Sequence, residues 1–361
     1  MVSWGGAAIT LEQRLLARFR NAGISSDSPL VVAFSGGPDS LALAAALTHV
    51  RAVTGLPVVL VHVDHRLRES SAEDALAAAE LAGQIGIDLV VRRVPTSPLD
   101  AHPHCGVEEA ARRERYRILK EEALRLSSRT IATGHHRDDQ AETVLLHLLR
   151  GSGLRGATGM RELSSLPAEY LATKPHDISQ RDDPRDLRLW RPFLGEPRAT
   201  ILAYLGRRGL LPLTDPSNDD ITLRRNAIRH RVLPEMERAV PGAAAALARF
   251  ASLAAEEDLL LERMVDQALA SVVGQNQRLN LVALQAEPRP MQRRILRRWL
   301  IDTTGESTVS AERVESVLRW AIHATGAGQI ELPGKWCVRR SGEWLIVGRN
   351  TRSGDDEGTS K

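Results

Sequence analysis

The sequence predicts a doubly wound α/β domain with a parallel sheet, followed by a mainly helical domain and a small C-terminal β-hairpin. Four short apolar runs alternate with helical segments over the first 150 residues, a pattern typical of a parallel sheet that helices cover on both faces. The chain has 361 residues, which is more than one hydrophobic core usually serves and favours two domains. Helical periodicity dominates beyond residue 240. A ligand is expected at the carboxyl ends of the strands.

Predicted strands and helices alternate along the first domain. The apolar runs that predict strands lie at residues 30–34, 57–63, 89–91 and 130–133. The segments with apolar residues at helical spacing lie at residues 11–19, 41–50, 72–85, 108–126 and 140–149. A polar stretch at about 165–188, which contains Pro175 and Pro184, interrupts this order and predicts a long loop insertion.

The later part of the chain predicts helices and then a hairpin. Residues 212–220 are rich in Pro, Asp, Ser and Asn, which predicts a domain boundary. Helical periodicity is found at residues 201–205, 243–273, 289–300 and 311–323. Apolar and polar residues alternate at 329–347, around two turn signals that contain glycine. The predicted parts are a first domain at 1–215, a helical domain at 216–326, a hairpin at 327–349 and a disordered tail at 350–361.

The composition excludes several classes of protein. Hydrophobic residues make up 43% and charged residues 26%, the balance of a globular protein in water. No apolar stretch is long enough to span a bilayer and the N-terminus lacks the pattern of a signal peptide, so no membrane association is expected and a cytoplasmic location is predicted. Cys105 and Cys337 lie far apart and no CxxC pair exists, which disfavours a disulfide framework and a zinc knuckle.

A glycine-containing loop between the first strand and the second helix carries the strongest chemical signal. Its residues, here called the phosphate loop, are Ser35, Gly36, Gly37, Pro38, Asp39 and Ser40. Two glycines let the backbone fold tightly, and the helix N-terminus adds partial positive charge, so the loop suits phosphate groups. The alternative is a simple helix cap formed by Asp39 or Ser40. Neither a GxxxxGK[ST] loop nor a GxGxxG fingerprint is present, which disfavours transfer of a terminal phosphate and dinucleotide binding.

Two further motifs follow the second and fourth predicted strands and should border the same crevice. His62, Asp64 and His65 could bind a metal ion, but side chains alternate along a strand, so nucleotide contact or loop structure is the favoured interpretation. In the segment Gly134–Thr143, a metallohydrolase site and a capped helix start both remain open. In a third interpretation Asp139 and Glu142, which share a helix face, bind Mg²⁺ or a cationic amine beside the nucleotide.

The phosphate loop resembles the signature of the PP-loop ATP pyrophosphatases, which cleave ATP between its α and β phosphates and form an adenylated intermediate. Four further segments make the chain resemble the tRNA(Ile)-lysidine synthetase family in particular. These segments are His62–Arg68, Glu108–Tyr116, Thr133–Met160 and Asp215–Pro234. The resemblance is close over residues 30–235 and looser over the helical part. It implies a fold like that of the adenine nucleotide α-hydrolases for the first domain and a tRNA-binding role for the helical one.

The resemblance implies that lysine is attached to C2 of the wobble cytidine, position 34, of an isoleucine tRNA with the anticodon CAU. Cytidine O2 would attack the α-phosphate of ATP and release pyrophosphate, and the lysine ε-amine would then expel AMP. The residues expected to line the reaction centre are Asp39, Arg112, Asp139 and Glu142, with Asp39 also holding Mg²⁺. The residues expected to bind ATP are those of the phosphate loop together with Asp64, His65 and Gly134.

Two groups of arginines fit a tRNA partner, because such groups bind phosphates without reading bases. The arginines expected to bind RNA are Arg224, Arg225, Arg229, Arg231, Arg293, Arg294 and Arg297. In the alternative interpretation they pair with nearby glutamates. Against the family pattern the insertion at 165–188 is expected to be long and the C-terminus short, without a further domain for the acceptor stem. A homodimer is left open.

Other functions remain as alternatives. Another PP-loop enzyme would be an amide synthetase or a tRNA thiolase, although the usual thiolase chemistry needs paired cysteines that this sequence lacks. A non-catalytic ATP-binding regulatory module is an alternative of a different class. Such a module would not need Arg112, Asp139 and Glu142 around the crevice, nor a basic helical domain.

Overall fold

A computed structural model describes residues 9–66, 71–166, 187–214, 219–306, 309–323, 328–332, 334 and 336–350. The chain forms two compact units, Met1–Ala255 and Glu256–Lys361. Parts of the sequence-based predictions lie outside the described residues: most of the loop insertion, the motif at 215–218, the end of the motif at 62–68, and the tail from residue 351.

A six-stranded sheet organises the first unit. Its order is β3-β2-β1-β4-β6-β5, and all neighbours pair in parallel except β5 with β6. The strands are β1 (Leu30–Ala33), β2 (Val58–Asp64), β3 (Leu89–Arg93), β4 (Thr130–Ala132), β5 (Leu163–Ser165) and β6 (Arg188–Trp190). This order confirms the predicted doubly wound sheet.

Helices follow the strands, as the alternating pattern predicts. The helices of the chain up to residue 239 are α1 (Leu11–Asn21), α2 (Pro38–Thr54), α3 (Ser71–Ile85), α4 (Pro98–Ala101), α5 (Val107–Arg125), α6 (Arg137–Leu149), α7 (Leu154–Ala157), α8 (Arg198–Arg208), α9 (Arg224–Ala227) and α10 (Leu233–Ala239). One buried cluster packs α1, α2, α3 and α8 against the sheet, and a second packs α5. Both faces of the sheet are therefore covered, which explains why its strands are apolar throughout.

The strand order places a crevice between β1 and β4. Leu30 on β1 pairs with Val58 of β2 on one side and with Thr130 of β4 on the other. The connections after β1 and β4 therefore leave the sheet from neighbouring strands, at the point where the strand order reverses. In doubly wound sheets such a point opens a ligand crevice at the carboxyl ends of the strands. The phosphate loop follows β1, and the histidine-rich motif follows β4.

Two short strands border the insertion that the sequence predicts at about 165–188. β5 and β6 have only three residues each, and they pair with one another at residues 163–165 and 188–190. Runs this short are hard to separate from a loop by periodicity alone. Leu189 and Trp190 are nonetheless fully buried, because β6 pairs with β4 and extends the sheet.

A π-helical turn, Ile228–Val232, joins α9 to α10. Here the backbone N–H of Leu233 donates to the oxygen of Ile228, five residues earlier. Pro234 follows directly and has no N–H to donate, so the ordinary helical ladder cannot continue through it. The turn is notable because π-helical insertions occur frequently at functional sites.

The second unit packs helices against an antiparallel sheet of order β7-β10-β9-β8. Its strands are β7 (Leu279–Asn280), β8 (Gln329–Leu332), β9 (Trp336–Ser341) and β10 (Trp344–Arg349). The remaining helices of the chain are α11 (Ala243–Val272), α12 (Leu281–Ala286), α13 (Arg289–Thr304) and α14 (Ala311–His323). The segment predicted as a hairpin, 327–349, contains the three strands β8, β9 and β10, and β7 extends their sheet. Across the described ranges, no helix is both long and apolar enough to cross a membrane.

Candidate active site

The phosphate loop is folded by hydrogen bonds between its own residues. The N–H of Ser35 donates to the Ser40 hydroxyl at 3.2 Å, and that hydroxyl donates to the Gly37 oxygen at 3.1 Å. Gly37 caps α2, and Pro38 takes its first position, where the missing N–H costs nothing. The first N–H groups of α2 therefore face the mouth of the loop, which suits an anion.

Glycine is required at two places where backbones approach closely. Gly36 has a φ of 78°, and a Cβ there would lie 2.6 Å from Cδ1 of Leu213. At Gly134, just after β4, the neighbouring atoms belong to backbone and cannot move aside as a side chain can. A Cβ on it would lie 2.8 Å from both the backbone carbon and the oxygen of Asp39. Gly134 thus contacts the phosphate loop through backbone, and any side chain would push the two segments apart.

His136 links the phosphate loop to α6. Its Nδ1 accepts the N–H groups of Asp138 and Asp139 at 3.2 and 3.4 Å, so the ring caps the helix. In the neutral ring the proton then lies on Nε2. That nitrogen is 3.6 Å from Oδ1 of Asp39 and 3.4 Å from Oδ2 of Asp139. A histidine therefore forms the cap of α6, which fits the capped helix start that the sequence left open.

Asp139 and Glu142 of α6 are shielded from solvent and paired with arginines. Arg229 donates to Oε1 of Glu142 at 2.6 Å and to Oδ1 of Asp139 at 2.8 Å. Arg225 donates to Oε2 of Glu142 at 2.8 Å and to Oδ1 of Asp139 at 3.1 Å. Although burial opposes ionisation of Asp139, the cationic neighbours and His136 hold its pKa well below the usual value. Asp139 is therefore an anion throughout the physiological range.

Asp39 titrates in the opposite sense. Burial raises the pKa of Asp39, and the negative charge of Asp139 raises it further, while His136 partly opposes both effects. Its Oδ1 is buried and has no hydrogen-bond partner among the residues that the structure describes. A buried carboxylate oxygen without a partner is costly unless a ligand supplies one. A metal ion at this oxygen would satisfy it.

The end of β2 shows a structural role for Asp64. Its Oδ1 accepts the N–H of Arg66 at 2.9 Å, and its Oδ2 accepts the Arg93 side chain at 2.9 Å. Burial raises the pKa of Asp64, but these hydrogen bonds outweigh it and lower that pKa overall. Burial and the charge of Arg115 lower the pKa of His65 to about 4, so its ring is neutral. Their predicted contact with ATP stays a prediction.

No described cluster of three or more His, Cys, Asp or Glu side chains is suited to hold a metal ion by itself. For His62 this agrees with its geometry, because its Nδ1 lies 3.1 Å from the Phe34 oxygen and bonds the end of β1. Both observations favour nucleotide contact or loop structure over the metal-site interpretation of this strand end. They leave a substrate-shared ion at Asp39 open, because such an ion needs only one or two protein carboxylates.

Arg112 lies on α5 with its guanidinium 5.4 Å from the centre of the Tyr116 ring. It is also one of the cations that act on His135. Burial holds the pKa of His135 well below its usual value, and Arg112, Arg191 and Arg225 lower it further. Nδ1 of His135 is 2.8 Å from the Thr133 hydroxyl. Arg112 therefore lies within electrostatic range of His135.

The predicted RNA-binding arginines fall into different environments. Arg224 and Arg231 are exposed, whereas Arg225 and Arg229 join the carboxylate cluster described above. In the second unit, Arg293 is paired with Glu315, Arg294 with Asp258 and Glu262, and Arg297 is half-buried on α13. Their RNA-binding role stays a prediction for all of them.

Sequence reasoning missed three side chains that shape the site. It assigned Arg225 and Arg229 to an RNA surface, although their spacing of four puts them on one helix face. It also missed Gln140, whose amide donates to the Met160 oxygen at 2.8 Å and accepts the Met160 N–H at 2.7 Å. These two hydrogen bonds hold the segment around Met160, which follows α6 and α7, against α6. No local sequence pattern predicts this contact, because its two residues are 20 positions apart in the chain.

Comparisons with known proteins agree with this arrangement. A family model described as a PP-loop domain matches residues 8–236, and one described as a TilS substrate binding domain matches residues 279–346. A relative from Thermobifida fusca, named tRNA(Ile)-lysidine synthase, is 36% identical over 326 residues that cover 90% of this chain and 93% of the relative. A protein of the same name from Geobacter sulfurreducens is 33% identical over 86% of this chain, which spans only 63% of that relative.

A solved structure shares the fold at low sequence identity. The U34-tRNA thiolase NcsA from Methanococcus maripaludis, with its [4Fe-4S] cluster, superimposes with a TM-score of 0.53. The match has 15% identity and covers 67% of this chain and 78% of the thiolase. At this identity the likeness concerns the fold alone.

Proposed function

Because the chain belongs to the tRNA(Ile)-lysidine synthase family, we propose that it ligates L-lysine to C2 of the wobble cytidine in a CAU-anticodon isoleucine tRNA. ATP is consumed and AMP and pyrophosphate are released. The family predicted from the sequence is thereby confirmed, whereas the substrate lysine and the tRNA species are parts of the proposal. A tRNA substrate is consistent with the cytoplasmic location that the sequence predicts. A homodimer stays open.

One observation carries the proposal: the backbone contact of Gly134 with Asp39. It brings the acidic start of α6 to the phosphate loop, where ATP is proposed to bind. The loop fits the nucleotide because the N-terminus of α2 provides N–H groups and partial positive charge. Asp39 fits Mg²⁺ because its buried Oδ1 lacks a partner. When bound, Mg²⁺ would neutralise charge on the phosphates.

The proposed reaction has two balanced steps. ATP supplies an adenylyl group that turns O2 of cytidine into a leaving group. O2 forms a bond to the α-phosphorus, the bond to the β-phosphate oxygen breaks, and pyrophosphate leaves with that electron pair. In the second step the lysine ε-amine forms the bond to C2, the C2–O bond breaks, and AMP leaves with its electrons. The lysine ammonium group gives up two protons to solvent, one before the attack and one after it, and the third proton stays on the nitrogen bonded to C2.

The residues of the crevice divide this work. The phosphate loop and Arg112 are proposed to hold the phosphates, since cations and oriented N–H groups stabilise developing negative charge. His136 keeps α6 beside the loop by capping it and by reaching toward Asp39. Asp139, which approaches the same His136 ring nitrogen as Asp39 of the loop, and Glu142 are proposed to attract the cationic amino acid. Asp64 and His65 are proposed to border the nucleotide from the neighbouring strand end.

The experiment is ATP-dependent incorporation of labelled lysine into isoleucine tRNA with the CAU anticodon. Methionine tRNA, which shares that anticodon, is the specificity control. Incorporation into the isoleucine tRNA only, abolished by Asp39→Ala, is the expected result. Pyrophosphate release with another nucleophile and no lysine incorporation would keep ATP binding and reject lysidine as the product. The thiolase alternative is not favoured, because Cys105 and Cys337, the only cysteines, lie in different units and form no disulfide.

A further inference from the structure

Every carboxylate oxygen of Asp139 and Glu142 already has a donor. Oδ1 of Asp139 accepts Arg225 at 3.1 Å and Arg229 at 2.8 Å, and its Oδ2 accepts the backbone N–H of His136 at 2.9 Å. Oε1 of Glu142 accepts Arg229 at 2.6 Å, and Oε2 accepts Arg225 at 2.8 Å and Arg229 at 3.0 Å. In this state each carboxylate accepts three of the about four hydrogen bonds that it can accept, so the acidic pair has little capacity left for a substrate amine.

The four side chains form a neutral cluster largely withdrawn from water. Two carboxylates meet two guanidinium groups, and the carboxylate side chains are almost fully buried. A buried charge that loses its partner is strongly destabilised, so neither an arginine nor a carboxylate can leave the cluster alone. An amine that displaced an arginine would leave one cation too many in the crevice. The exchange becomes favourable only if an anion receives the displaced arginine.

The phosphate loop is where such an anion would be. Arg229 is linked to that loop through two side chains. It donates to Oδ1 of Asp139 at 2.8 Å, and Nε2 of His136 lies 3.4 Å from Oδ2 of Asp139 and 3.6 Å from Oδ1 of Asp39 in the loop. The side chain of Arg229 is partly open to solvent, and it lies in the π-helical turn 228–232. A guanidinium in this position has carboxylates on one side and the nucleotide crevice within electrostatic range. Arginine binds phosphate as readily as carboxylate, because its planar donors match both.

We propose that Arg225 and Arg229 hold the amine site closed and pass to phosphate oxygens when the nucleotide binds, so that lysine binds after ATP. They are positioning residues: they occupy Asp139 and Glu142 until an anionic substrate draws them away. The proposal rests on the proposed function, because it takes the amine to be that of lysine.

Charge balance couples the affinity of the site for lysine to its affinity for the nucleotide. Nucleotide alone draws the arginines and leaves the carboxylates short of a cation, and lysine alone adds a cation to a neutral cluster. Together the two ligands restore balance, so each should strengthen binding of the other by the same factor. Coupling between two sites commonly changes affinity by about five- to 150-fold, and a change of about tenfold or more is expected here.

The first test uses the unmodified protein and isothermal calorimetry. Lysine is titrated into protein alone, with α,β-methylene-ATP and Mg²⁺, with isoleucine tRNA, and with both. The methylene bridge blocks cleavage between the α and β phosphates. Tighter lysine binding with the nucleotide analogue alone assigns the phosphate to ATP, and tighter binding only with tRNA assigns it to the RNA and rejects binding after ATP. Equal lysine affinity in all four titrations overturns the proposal.

The second test removes one arginine. Arg229→Gln should bind lysine without nucleotide about tenfold more tightly than the unmodified protein, and should lose most of the nucleotide effect. Arg238→Gln is the matched control, because Arg238 pairs with Glu235 in the exposed part of the same segment. A nucleotide effect on lysine affinity that is unchanged in Arg229→Gln contradicts the proposal. Arg225→Gln supplies the same test if the first variant does not fold.

The outcomes separate this proposal from the proposed function. Lysine incorporation into tRNA together with nucleotide-independent lysine binding would overturn the arginine exchange and leave the ligase standing. Absence of lysine binding in every titration, together with absence of incorporation, would reject lysine as the substrate and with it the exchange.

Discussion

Both units of the molecule hold a glutamate between two arginines, but the two arrangements differ in burial. Glu142 of the first unit, between Arg225 and Arg229, is 1% exposed, whereas Glu315 of the second unit, between Arg289 and Arg293, is 29% exposed. The residue types and most of the distances are alike. The two clusters differ in their exposure to solvent, and this exposure determines whether their arginines can exchange partners.

Burial changes an ion pair from a minor surface contact into a constraint. Water stabilises an exposed charge even when its partner is removed, so surface pairs contribute about 0–1 kcal/mol. A buried charge has no such substitute, and breaking its pair costs about 3–5 kcal/mol. The buried arginines are therefore available for a new task only when a ligand replaces their partner. The exposed ones can bind a polyanion at any time.

The largest expected effect tests this contrast directly. Glu142→Ala should lower the free energy of unfolding by about 3–5 kcal/mol, because two largely buried guanidinium groups lose one of their two carboxylate partners and the cluster is left with an excess positive charge. Glu315→Ala, the matched control, should cost about 0–1 kcal/mol. Urea unfolding followed by circular dichroism measures both. Equal losses for the two variants would mean that burial does not distinguish the clusters.

The second prediction concerns how closely the first unit is packed around its site. Gly134→Ala should lower the rate of lysine incorporation about 100-fold, because the added Cβ forces Asp39 out of position and small displacements at reacting groups are costly. Gly206→Ala is the control, since a Cβ on Gly206 in α8 meets nothing within 4 Å. That variant should keep full activity and gain about 0.4–1 kcal/mol of stability. Full activity of Gly134→Ala would show that the close contact is not needed.

The sequence predicts the scaffold well because the scaffold is local. Apolar strands, a glycine loop and a helix start each leave a pattern within ten residues, so the parallel sheet and the position of the phosphate loop could be foreseen. The ion-pair cluster could not, because Glu142 and Arg225 are 83 positions apart and nothing in either segment marks the other. For the same reason β6 escaped notice: its three residues become a strand only by pairing with β4.

The third prediction uses two aspartates whose pKa values shift in opposite directions. The folded state holds the pKa of Asp139 below 3.8, so ionised Asp139 stabilises the fold above that pH and the gain is lost in more acidic solution. The folded state raises the pKa of Asp39 above 3.8, so its ionisation destabilises the fold as pH rises. At pH 7 Asp139→Asn should thus be less stable than the unmodified protein, and Asp39→Asn more stable.

Thermal unfolding from pH 3 to pH 8 checks both signs. Each difference from the unmodified protein should shrink toward pH 3, where both carboxyl groups approach protonation in the unfolded chain. Asp39→Asn should at the same time lose activity, because a partnerless oxygen that destabilises the fold is retained for its ligand. A destabilised Asp39→Asn variant at pH 7 would show that the oxygen has a partner within the protein.

The smallest expected effect concerns tRNA binding by two neighbouring arginines of α13, in the second unit, that differ in exposure. Arg293 is 52% exposed beside Glu315, and Arg294 is 17% exposed between Asp258 and Glu262. If this unit binds tRNA phosphates, Arg293→Gln should reduce the salt slope of tRNA affinity by about one, and Arg294→Gln should leave that slope unchanged while lowering stability. Filter binding of tRNA at several salt concentrations measures the slope. The opposite assignment would mean that RNA draws Arg294 out of its ion pairs, so that the exchange between carboxylate and phosphate proposed for the buried cluster also operates in the second unit.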